Sequence, residues 1–331
     1  MRIAKAPVLP SCAVIAFITF VTSIPAPAQE SEASYPVKPV RFVVPFPAGA
    51  SNDLVARTIG QKMSDSLGQQ FVVDNRPGAG GLIGGDTVAK AIPDGYTLLL
   101  ANAGPSLNNV LIRKNPPYHL GDFAPVVWFG YLPLIIVANS SSPLTSAKAL
   151  VGYAKENPGK LTWGSSGVGG TLHIGLEAFQ AATDIKVTHV PYKGSAPGLV
   201  ALVGGQVDLM LTSSLSIQAH MKAGRIRVLA IAGPKRQSVL PNVPTLTEQG
   251  IQGGDTIAWY GMAAPAKTPR RVIEKLNQEA NKALRLPDVQ QRLGQIGLEF
   301  EGGTPEKFNA FIQAEAKKLH HLIKIGAVSV Q

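Results

Sequence analysis

The feature that most constrains this sequence is a repeating order: a short apolar run, a loop rich in small residues, then a segment with helical periodicity. Val40–Phe46 is typical of a buried strand, and Asp53–Leu67 carries apolar residues along one side, as a helix does. Further strands are predicted at residues 71–73 and 96–100. Alternating strands and helices favour an α/β fold, in which a mainly parallel sheet is flanked by helices.

The middle of the chain repeats this order. Strands are predicted at 134–138, 161–164, 187–190, 207–211, 227–232 and 256–263, and helices at 146–157, 171–182, 196–202, 270–284 and 305–323. About 300 residues is more than one lobe of this kind needs. We therefore predict two lobes, with crossings near residues 131–139 and 252–260. Lobe one comprises 35–135 plus 258–331 and is discontinuous, while lobe two comprises 136–257.

Residues 1–28 have the pattern of an export signal peptide. Arg2 and Lys5 precede a mostly apolar stretch, and Ala26-Pro27-Ala28 supplies the small residues of a cleavage site. The apolar stretch is shorter than the ~20 residues of a membrane span, which disfavours an anchor. Cys12 is the only cysteine and lies in this segment. The exported chain then has no disulfide, no cysteine nucleophile and no thiolate metal site.

The formal net charge of +10 raises the question of an anionic partner. The basic residues are scattered and form no dense run, and the chain is exported, so we predict no nucleic-acid binding. A positive field would speed the capture of small anions, or the charge could serve solubility alone. The sequence leaves both interpretations open.

Residues 45–53, here called the proline–glycine loop, follow the first predicted strand. Their small side chains let the backbone approach a ligand, and the free amides at the start of the next helix attract an anion. Asn52 or Asp53 could cap that helix. The competing interpretation is an ordinary turn between strand and helix.

Residues 164–171, here called the serine–glycine loop, open a helix in the predicted second lobe. A G-x-S-x-G nucleophile elbow would need glycine where Val168 stands, and no base is recognisable near Ser165 or Ser166. The loop instead offers small and hydroxyl-bearing residues. Because it follows a strand of the other lobe, it can face the proline–glycine loop across a cleft.

Residues 75–85 contain G-x-G-x-x-x-G at Gly78, Gly80 and Gly84, a variant of the dinucleotide fingerprint. A Rossmann loop follows the first strand directly and is matched by an acidic residue at the end of the next one, and neither holds here. No Lys-Ser or Lys-Thr follows, so a P-loop is also excluded. We predict a close-packed turn and no nucleotide cofactor.

The inventory of catalytic groups is thin. The spacing of the histidines fits no metal motif, and no pair of carboxylates occurs in the candidate loops. His320 and His321 are expected to be solvated, and the other four histidines to be structural. We therefore predict a binding protein without metal or cofactor rather than an enzyme.

Six segments, in this order, resemble the substrate-binding subunits of tripartite tricarboxylate transporters, the TctC family with its Bug receptor branch. They are "YPVKPVRFVVPFPAGASNDLVAR", "VVDNRPGAGGLIGGDTVAKAIPDGYTLLL", "DFAPV", "GSSGVGGTLHIGLEAF", "HVPYKGSAPGLVALVGGQVDLM" and "GRIRVLAIAGPKRQSVLPNVPTLTEQG". The resemblance implies a two-lobed periplasmic binding protein of type II, a Venus flytrap. It also implies a small organic carboxylate as ligand, and one large and one small membrane subunit as partners. We predict a monomer.

The resemblance implies that backbone amides and ordered waters hold one ligand carboxylate, from the loops at 48–53 and 166–171. Two positions depart from the family pattern: Ala50 replaces a glycine and Gly170 replaces a serine. The loop at 101–108 is poorer in hydroxyls than is usual in the family. We therefore expect a ligand less polar than citrate, with Asn102, Ser106 and apolar neighbours around its tail.

The predicted ligand-binding residues come from these loops and two further positions. They are Phe46, Ala48, Gly49, Ala50, Ser51, Asn52, Asp53, Asn102, Ser106, Ser165, Ser166, Gly167, Gly169, Gly170, Thr171, Tyr192 and Asp208. Asp53 would cap its helix, orient a water or meet a ligand ammonium group, and Tyr192 would floor the cleft or form a turn. The alternative functions are a ligand sensor that docks on a signalling receptor and an exported α/β hydrolase that uses Ser165 or Ser166.

Overall fold

The structure is a computed structural model that describes residues 1, 2, 4, 35–49 and 51–330. The chain from Tyr35 onward forms one compact unit. The predicted signal peptide, with Cys12, lies outside the described residues except for Met1, Arg2 and Ala4.

The first sheet begins with three parallel strands. They are β1 (Val40–Val44), β2 (Phe71–Asn75) and β3 (Thr97–Ala101), joined by helices α1 (Ser51–Leu67) and α2 (Leu82–Ala89). β1 lies in the middle, with Arg41 opposite both Val72 and Thr97. β1 and β3 are almost entirely buried, as expected of parallel strands covered on both faces.

A single long strand, β4 (Phe123–Asn139), belongs to both sheets. Its first part pairs antiparallel with β9 (Ile257–Pro265), which in turn pairs antiparallel with β3. Its last part, from Leu134 on, pairs with strands of the second sheet. The sequence predicted only residues 134–138 as strand, because Pro125 and Gly130 interrupt the pattern. The structure accommodates both at register shifts against β9.

The second sheet contains β5 (Thr162–Ser165), β6 (Thr188–Pro191), β7 (Leu209–Thr212) and β8 (Ile226–Ala232). β5 is parallel to β6 and β7, while β4 pairs antiparallel with β7 and β8. The helices of this part are α4 (Ala147–Glu156), α5 (Thr171–Thr183), α6 (Ser195–Val203) and α7 (Ser214–Lys222). The Ser146 side chain accepts the Ala149 amide at 3.0 Å and caps α4.

The chain returns to the first sheet at its end. Helices α8 (Arg270–Leu284) and α9 (Pro287–Gly294), the short strand β10 (Glu299–Phe300) and helix α10 (Pro305–Lys324) follow β9. One side of α8, with Val272, Leu276 and Ala280, is buried in a core that it shares with residues of β1 and β3. Between β3 and β4 the chain also forms a π-helical turn at Gly104–Asn108 and a short helix, α3 (Asn109–Leu111).

The predicted α/β class is confirmed, with mixed sheets. Parallel pairing holds for the outer strands β2–β1–β3 and β6–β5–β7, and the crossover strands β4 and β9 are antiparallel to their neighbours. Helices α7 and α9 were not predicted. Each has fewer than ten residues and follows its preceding element almost directly, so neither shows a long periodic pattern.

The apolar interior is divided in the same way as the sheets. The buried residues of one core all lie between Leu134 and Ile251, while those of the others come from the two flanking parts of the chain. Separate cores are what two lobes require. The lobe boundaries at 135/136 and 257/258 stay a prediction.

Gly261 of β9 offers a test of this packing. A β-carbon there would lie 2.3 Å from the Phe308 ring of α10 and 2.7 Å from the Val127 carbonyl oxygen. We predict that Gly261→Ala lowers the free energy of unfolding by about 2–3 kcal/mol in urea titrations. The control is Gly152→Ala in exposed α4, where nothing lies within 4 Å of the new carbon and a gain of about 0.5–1 kcal/mol is expected. Equal effects of the two changes would contradict the packing.

Candidate ligand-binding site

Three loops follow the carboxyl ends of β1, β3 and β5. In open α/β sheets ligands bind at these ends, so the geometry singles out the proline–glycine loop, the segment after β3 and the serine–glycine loop. We call residues 102–109, after β3, the asparagine segment because it holds Asn102, Asn108 and Asn109.

The proline–glycine loop presents its backbone at the surface. Ala48 and Gly49 are exposed, and Gly49 has a φ of +88°, which favours glycine. α1 begins at Ser51, and a side-chain hydrogen bond links Ser51 to the buried Tyr260 of β9. Ala50 lies outside the described residues. The first amides of α1 therefore stand where an anion could meet them.

Asp53 stabilises this loop instead of facing a ligand freely. The buried carboxylate accepts the Gly49 amide at 3.2 Å, the Arg57 Nε–H at 2.9 Å and the Asn75 amide group at 3.1 Å. Burial alone would raise the pKa of Asp53, but these hydrogen bonds outweigh it and hold the pKa below its usual value. Of the three predicted roles, capping comes nearest, since the side chain reaches back to an amide before the helix.

The asparagine segment is buried along its whole length. Asn102 donates to the Asn52 side-chain oxygen at 3.2 Å and accepts the Gly104 amide at 3.2 Å. The Ser106 hydroxyl is buried and has no hydrogen-bond partner among the described residues. The Phe46 ring packs close to Gly104, within 3.5 Å of where a β-carbon would stand. The segment thus joins the proline–glycine loop, and its π-helical turn is a form that recurs at functional sites.

The serine–glycine loop packs against the other side of the asparagine segment. A β-carbon on Gly169 would lie 2.7 Å from the Asn109 side-chain oxygen and 2.6 Å from Ile112, so only glycine fits there. Gly167 and Gly169 have φ values of +116° and +77°. Gly170 precedes α5 without a side-chain cap, and Ser166 lies beside it. The amides of Thr171 and Leu172, at the start of α5, have no partner within the helix.

Ser165 and His189 form a pair that the sequence did not predict. The Ser165 hydroxyl lies 2.6 Å from His189 Nε2 and accepts the Gly167 amide at 3.2 Å. The expectation that no base accompanies Ser165 was therefore wrong. The two residues stand 24 positions apart on neighbouring strands, and no motif with that spacing signals them. Ser165 is completely buried, so a substrate cannot reach its hydroxyl in this conformation.

Two predicted residues lie away from the loop surfaces. The Tyr192 amide donates to the Ser165 carbonyl at 3.0 Å, and the Tyr192 ring packs behind the loop against Gly164 and Gly198. Asp208 accepts the Thr162 amide and hydroxyl, both at 2.7 Å. Thr162 begins β5, whereas Ser165 ends it. Asp208 therefore lies at the opposite end of the strands and is not brought together with the other candidates.

The described part of the chain holds no group of three His, Cys, Asp or Glu side chains placed to bind a metal ion. An open depression of about 440 Å³ is lined by Ser214, Gln218, Met221, Lys222, Val239 and Leu240, none of which belongs to the three loops. The loops themselves pack on one another through the asparagine segment. The site is thus lined by backbone amides and asparagine side chains, groups that can hold a small anion.

The role of Asp53 can be tested by Asp53→Asn. The folded-state pKa is lowered, so its stabilisation is present above the unfolded value of about 3.9 and is lost as the pH falls through the folded value. We predict a loss of about 1.5–3 kcal/mol of unfolding free energy near neutral pH, and a smaller loss in acid. The control is Asp65→Asn, exposed on the same helix. A loss that does not depend on pH would contradict the assigned role.

The chain has clear relatives among known proteins. The chain is 41% identical over 297 residues to a "UPF0065 protein in tcbD-tcbE intergenic region" of Pseudomonas sp. (strain P51), which covers 89% of this chain and 88% of that one. It is 36% identical to BugT of Bordetella pertussis, with 92% and 94% covered. No helix among the described residues is long and apolar enough to cross a membrane.

Three solved structures share the fold. The periplasmic binding protein BugD is 35% identical, with a TM-score of 0.79 over 90% of this chain and 100% of that one. Rpa4515 of R. palustris with adipate is 34% identical, with a TM-score of 0.82 over 89% and 99%. MatC of Rhodopseudomonas palustris with bound malate is 30% identical, with a TM-score of 0.78 over 87% and 100%. These likenesses confirm the predicted two-lobed fold.

The family model described as "Tripartite tricarboxylate transporter family receptor" matches residues 55–327, nearly all of the described chain. With the likeness to BugT and BugD, this confirms the resemblance found in the sequence. The chain belongs to the TctC family of tripartite tricarboxylate transporter receptors and is of the Bug type.

Proposed function

We propose that this protein is a periplasmic receptor that binds a small organic carboxylate and delivers it to one large and one small membrane subunit. The observation that carries the proposal is the pair of helix starts at Ser51 and Thr171. Each follows a strand end, and the asparagine segment joins their loops. Amides at helix starts bind anions without a basic side chain.

The acidic group nearest to this site does not oppose an anion. Arg57, Gly49 and Asn75 all donate to Asp53, so its negative charge is compensated. Together with the amides of Thr171 and Leu172, this leaves the loops with hydrogen-bond donors and no free carboxylate. Each hydrogen bond to a charged group contributes roughly 1.5–3 kcal/mol, so a few are enough for micromolar binding after the costs of association.

The two ligand-bound relatives indicate the class of ligand. Rpa4515 holds adipate and MatC holds malate, and both ligands are dicarboxylates. Behind the loops of this chain lie the buried Asn102 and the unpartnered Ser106 hydroxyl, among apolar Ala103 and Leu107. These groups offer few donors to a far end of the ligand. We infer a preference for a linear dicarboxylate that is less polar than citrate.

Delivery would follow from closure of the two lobes. An apolar cluster built on Ile112, Leu319 and Leu322 packs against Ile174 and Ala178 of α5, across the predicted lobe boundary. A hinge opening would part these surfaces and separate the two loops. A ligand that meets both loops favours the closed form by its differential affinity, and the membrane subunits would recognise that form. The predicted signal peptide would place the protein in the periplasm.

A hydrolase is disfavoured by the geometry around Ser165. The His189 ring stacks on His173 at 4.3 Å, and no carboxylate is bonded to His189 among the described residues. A serine nucleophile needs exposure as well as an oriented base, and Ser165 is completely buried. A receptor that signals rather than transports would use the same ligand site, and co-purification of membrane subunits separates the two.

A thermal-shift panel of carboxylates tests the ligand class on refolded, ligand-free protein. We expect adipate-like diacids to raise the melting temperature and citrate to raise it less. At 100 times Kd, binding adds about 2.7 kcal/mol to the unfolding free energy. Stabilisation by sugars or nucleotides but by no carboxylate would overturn the proposal.

Asn52→Asp tests the site itself. The change keeps the shape and the acceptor for Asn102 but places a negative charge at the start of α1, beside the proposed ligand carboxylate. We predict a loss of affinity of at least about tenfold, or 1.4 kcal/mol, measured by calorimetry. The matched control is Asn242→Asp on an exposed loop, which adds the same charge elsewhere. If both variants bind as the wild type does, the ligand lies elsewhere.

A further inference from the structure

Two histidines hold the serine–glycine loop from behind. His173 lies in the first turn of α5, and its Nδ1 accepts the Gly169 amide at 3.2 Å. A ring nitrogen that accepts an N–H carries no proton, so this arrangement requires a neutral His173 with its proton on Nε2. That nitrogen faces Glu177 Oε1 at 3.5 Å.

The second histidine acts through Ser165. The buried Ser165 hydroxyl accepts the Gly167 amide and lies 2.6 Å from His189 Nε2. Its single proton has no other acceptor among the described residues. All three groups are satisfied only if Ser165 donates to a neutral His189. Burial, together with the nearby His173, lowers the pKa of His189 to about 4, in keeping with that state.

The loop depends on these bonds for its shape. Gly167 and Gly169 are the two loop positions with positive φ. The Gly167 amide donates to the Ser165 hydroxyl, and the Gly169 amide donates to His173 Nδ1. The Gly170 amide turns inward to the Gly167 carbonyl at 3.3 Å. The amides at the start of α5 are then left for a ligand, in a position fixed by the loop.

Few other charges act on the pair. Of the elements packed around it, β5, β7, α6 and the Gly104–Leu111 region contain no charged residue, and β6 contributes only His189 itself. α5 contributes Glu177, and the turn after β6 contributes Tyr192 and Lys193. α10 faces α5 through apolar residues such as Leu322, while its His320 and His321 are exposed. The segment before β9 packs against α5, where Thr256 meets Gly175, and contributes Asp255.

We propose that His173 and His189 are positioning residues for the ligand loop, and that protonation of this pair releases the loop and weakens carboxylate binding. The proposal rests on the proposed function. A proton on His173 Nδ1 would meet the Gly169 N–H, donor against donor, while the charged ring pairs with Glu177. A proton on His189 Nε2 would turn the Ser165 proton toward the Gly167 N–H. Because the rings stack at 4.3 Å, a charge on one disfavours a charge on the other.

We expect the loss of loop order to outweigh the attraction between a charged histidine and the ligand. A charge on His173 is shared with Glu177, 3.5 Å away, which weakens its field at the loop. Amides that are no longer held in place must be ordered again when the ligand binds, and this ordering costs affinity. The ligand should therefore bind more weakly as the pH falls.

The first test needs no ligand. The amide signals of Gly167 and Gly169 are followed by NMR in the free protein from about pH 7.5 to about pH 5, the range in which histidines titrate. We expect the Gly169 signal to shift over this range and its hydrogen exchange, corrected for its intrinsic pH dependence, to speed up in acid. The Gly167 signal should change only in stronger acid, because the pKa of His189 is lowered to about 4. In His173→Asn the side-chain oxygen can still accept the Gly169 amide. The Gly169 signal should therefore keep its neutral-pH chemical shift over the whole pH range. His173→Leu lacks the acceptor and should show a released Gly169 at every pH.

The second test measures the dissociation constants of adipate and malate by calorimetry at the same two pH values. We expect about tenfold weaker binding in acid for the wild type and about threefold or less for His173→Asn, relative to each protein at neutral pH. Protonation of the ligand itself is common to both proteins, so their difference isolates the histidine. The control is His320→Asn, exposed on α10, which should follow the wild type.

Either test can overturn the proposal. If the Gly169 signal ignores pH, or if His173→Asn titrates as the wild type does, the histidines do not hold the loop by these bonds. Affinity that is unchanged or higher in acid would contradict the weakening. If neither diacid binds at any pH, the proposed function fails, and the NMR titration still decides whether the histidines position the loop.

Discussion

The pairing of β4 with both sheets is the constraint on which the rest of this structure depends. Its first part is fixed against β9, and its last part is fixed between β7 and β8. This one strand therefore sets how the carboxyl ends of β1 and β3 lie relative to that of β5. The interior packs in separate cores on either side of it, which is what a hinge between two lobes requires.

The site is built from backbone amides, and most of those in the loops already have hydrogen-bond partners within the protein. Asp53 takes the Gly49 amide, and the pair of His173 and Ser165 takes the amides of Gly169 and Gly167. What remains for an anion are the amides at the starts of α1 and α5. A binding site of this kind gains its affinity from order in the loops, so residues behind the loops matter as much as those that face the ligand.

Much of this could be predicted from the sequence, because the signals were local. The alternation of strand and helix predicted the α/β class, and the small residues of two loops predicted where the helices α1 and α5 begin. The full length of β4 could not be predicted, since prolines and a glycine inside it imitate a loop until β9 supplies the pairing. The contact between Ser165 and His189 could not be predicted, because it depends on which strands are neighbours in the sheet. The prediction that Asp208 binds the ligand failed to place it with the other candidates, because Asp208 lies at the opposite end of the strands.

We infer that one ligand carboxylate bridges two loops that belong to different sheets. The most direct measurement is an NMR titration of the backbone amides with adipate. We expect the amides of Ser51 and Asn52 and those of Thr171 and Leu172 to shift together, with the same midpoint. Shifts confined to one loop, or saturating at separate concentrations, would contradict a shared site between the lobes.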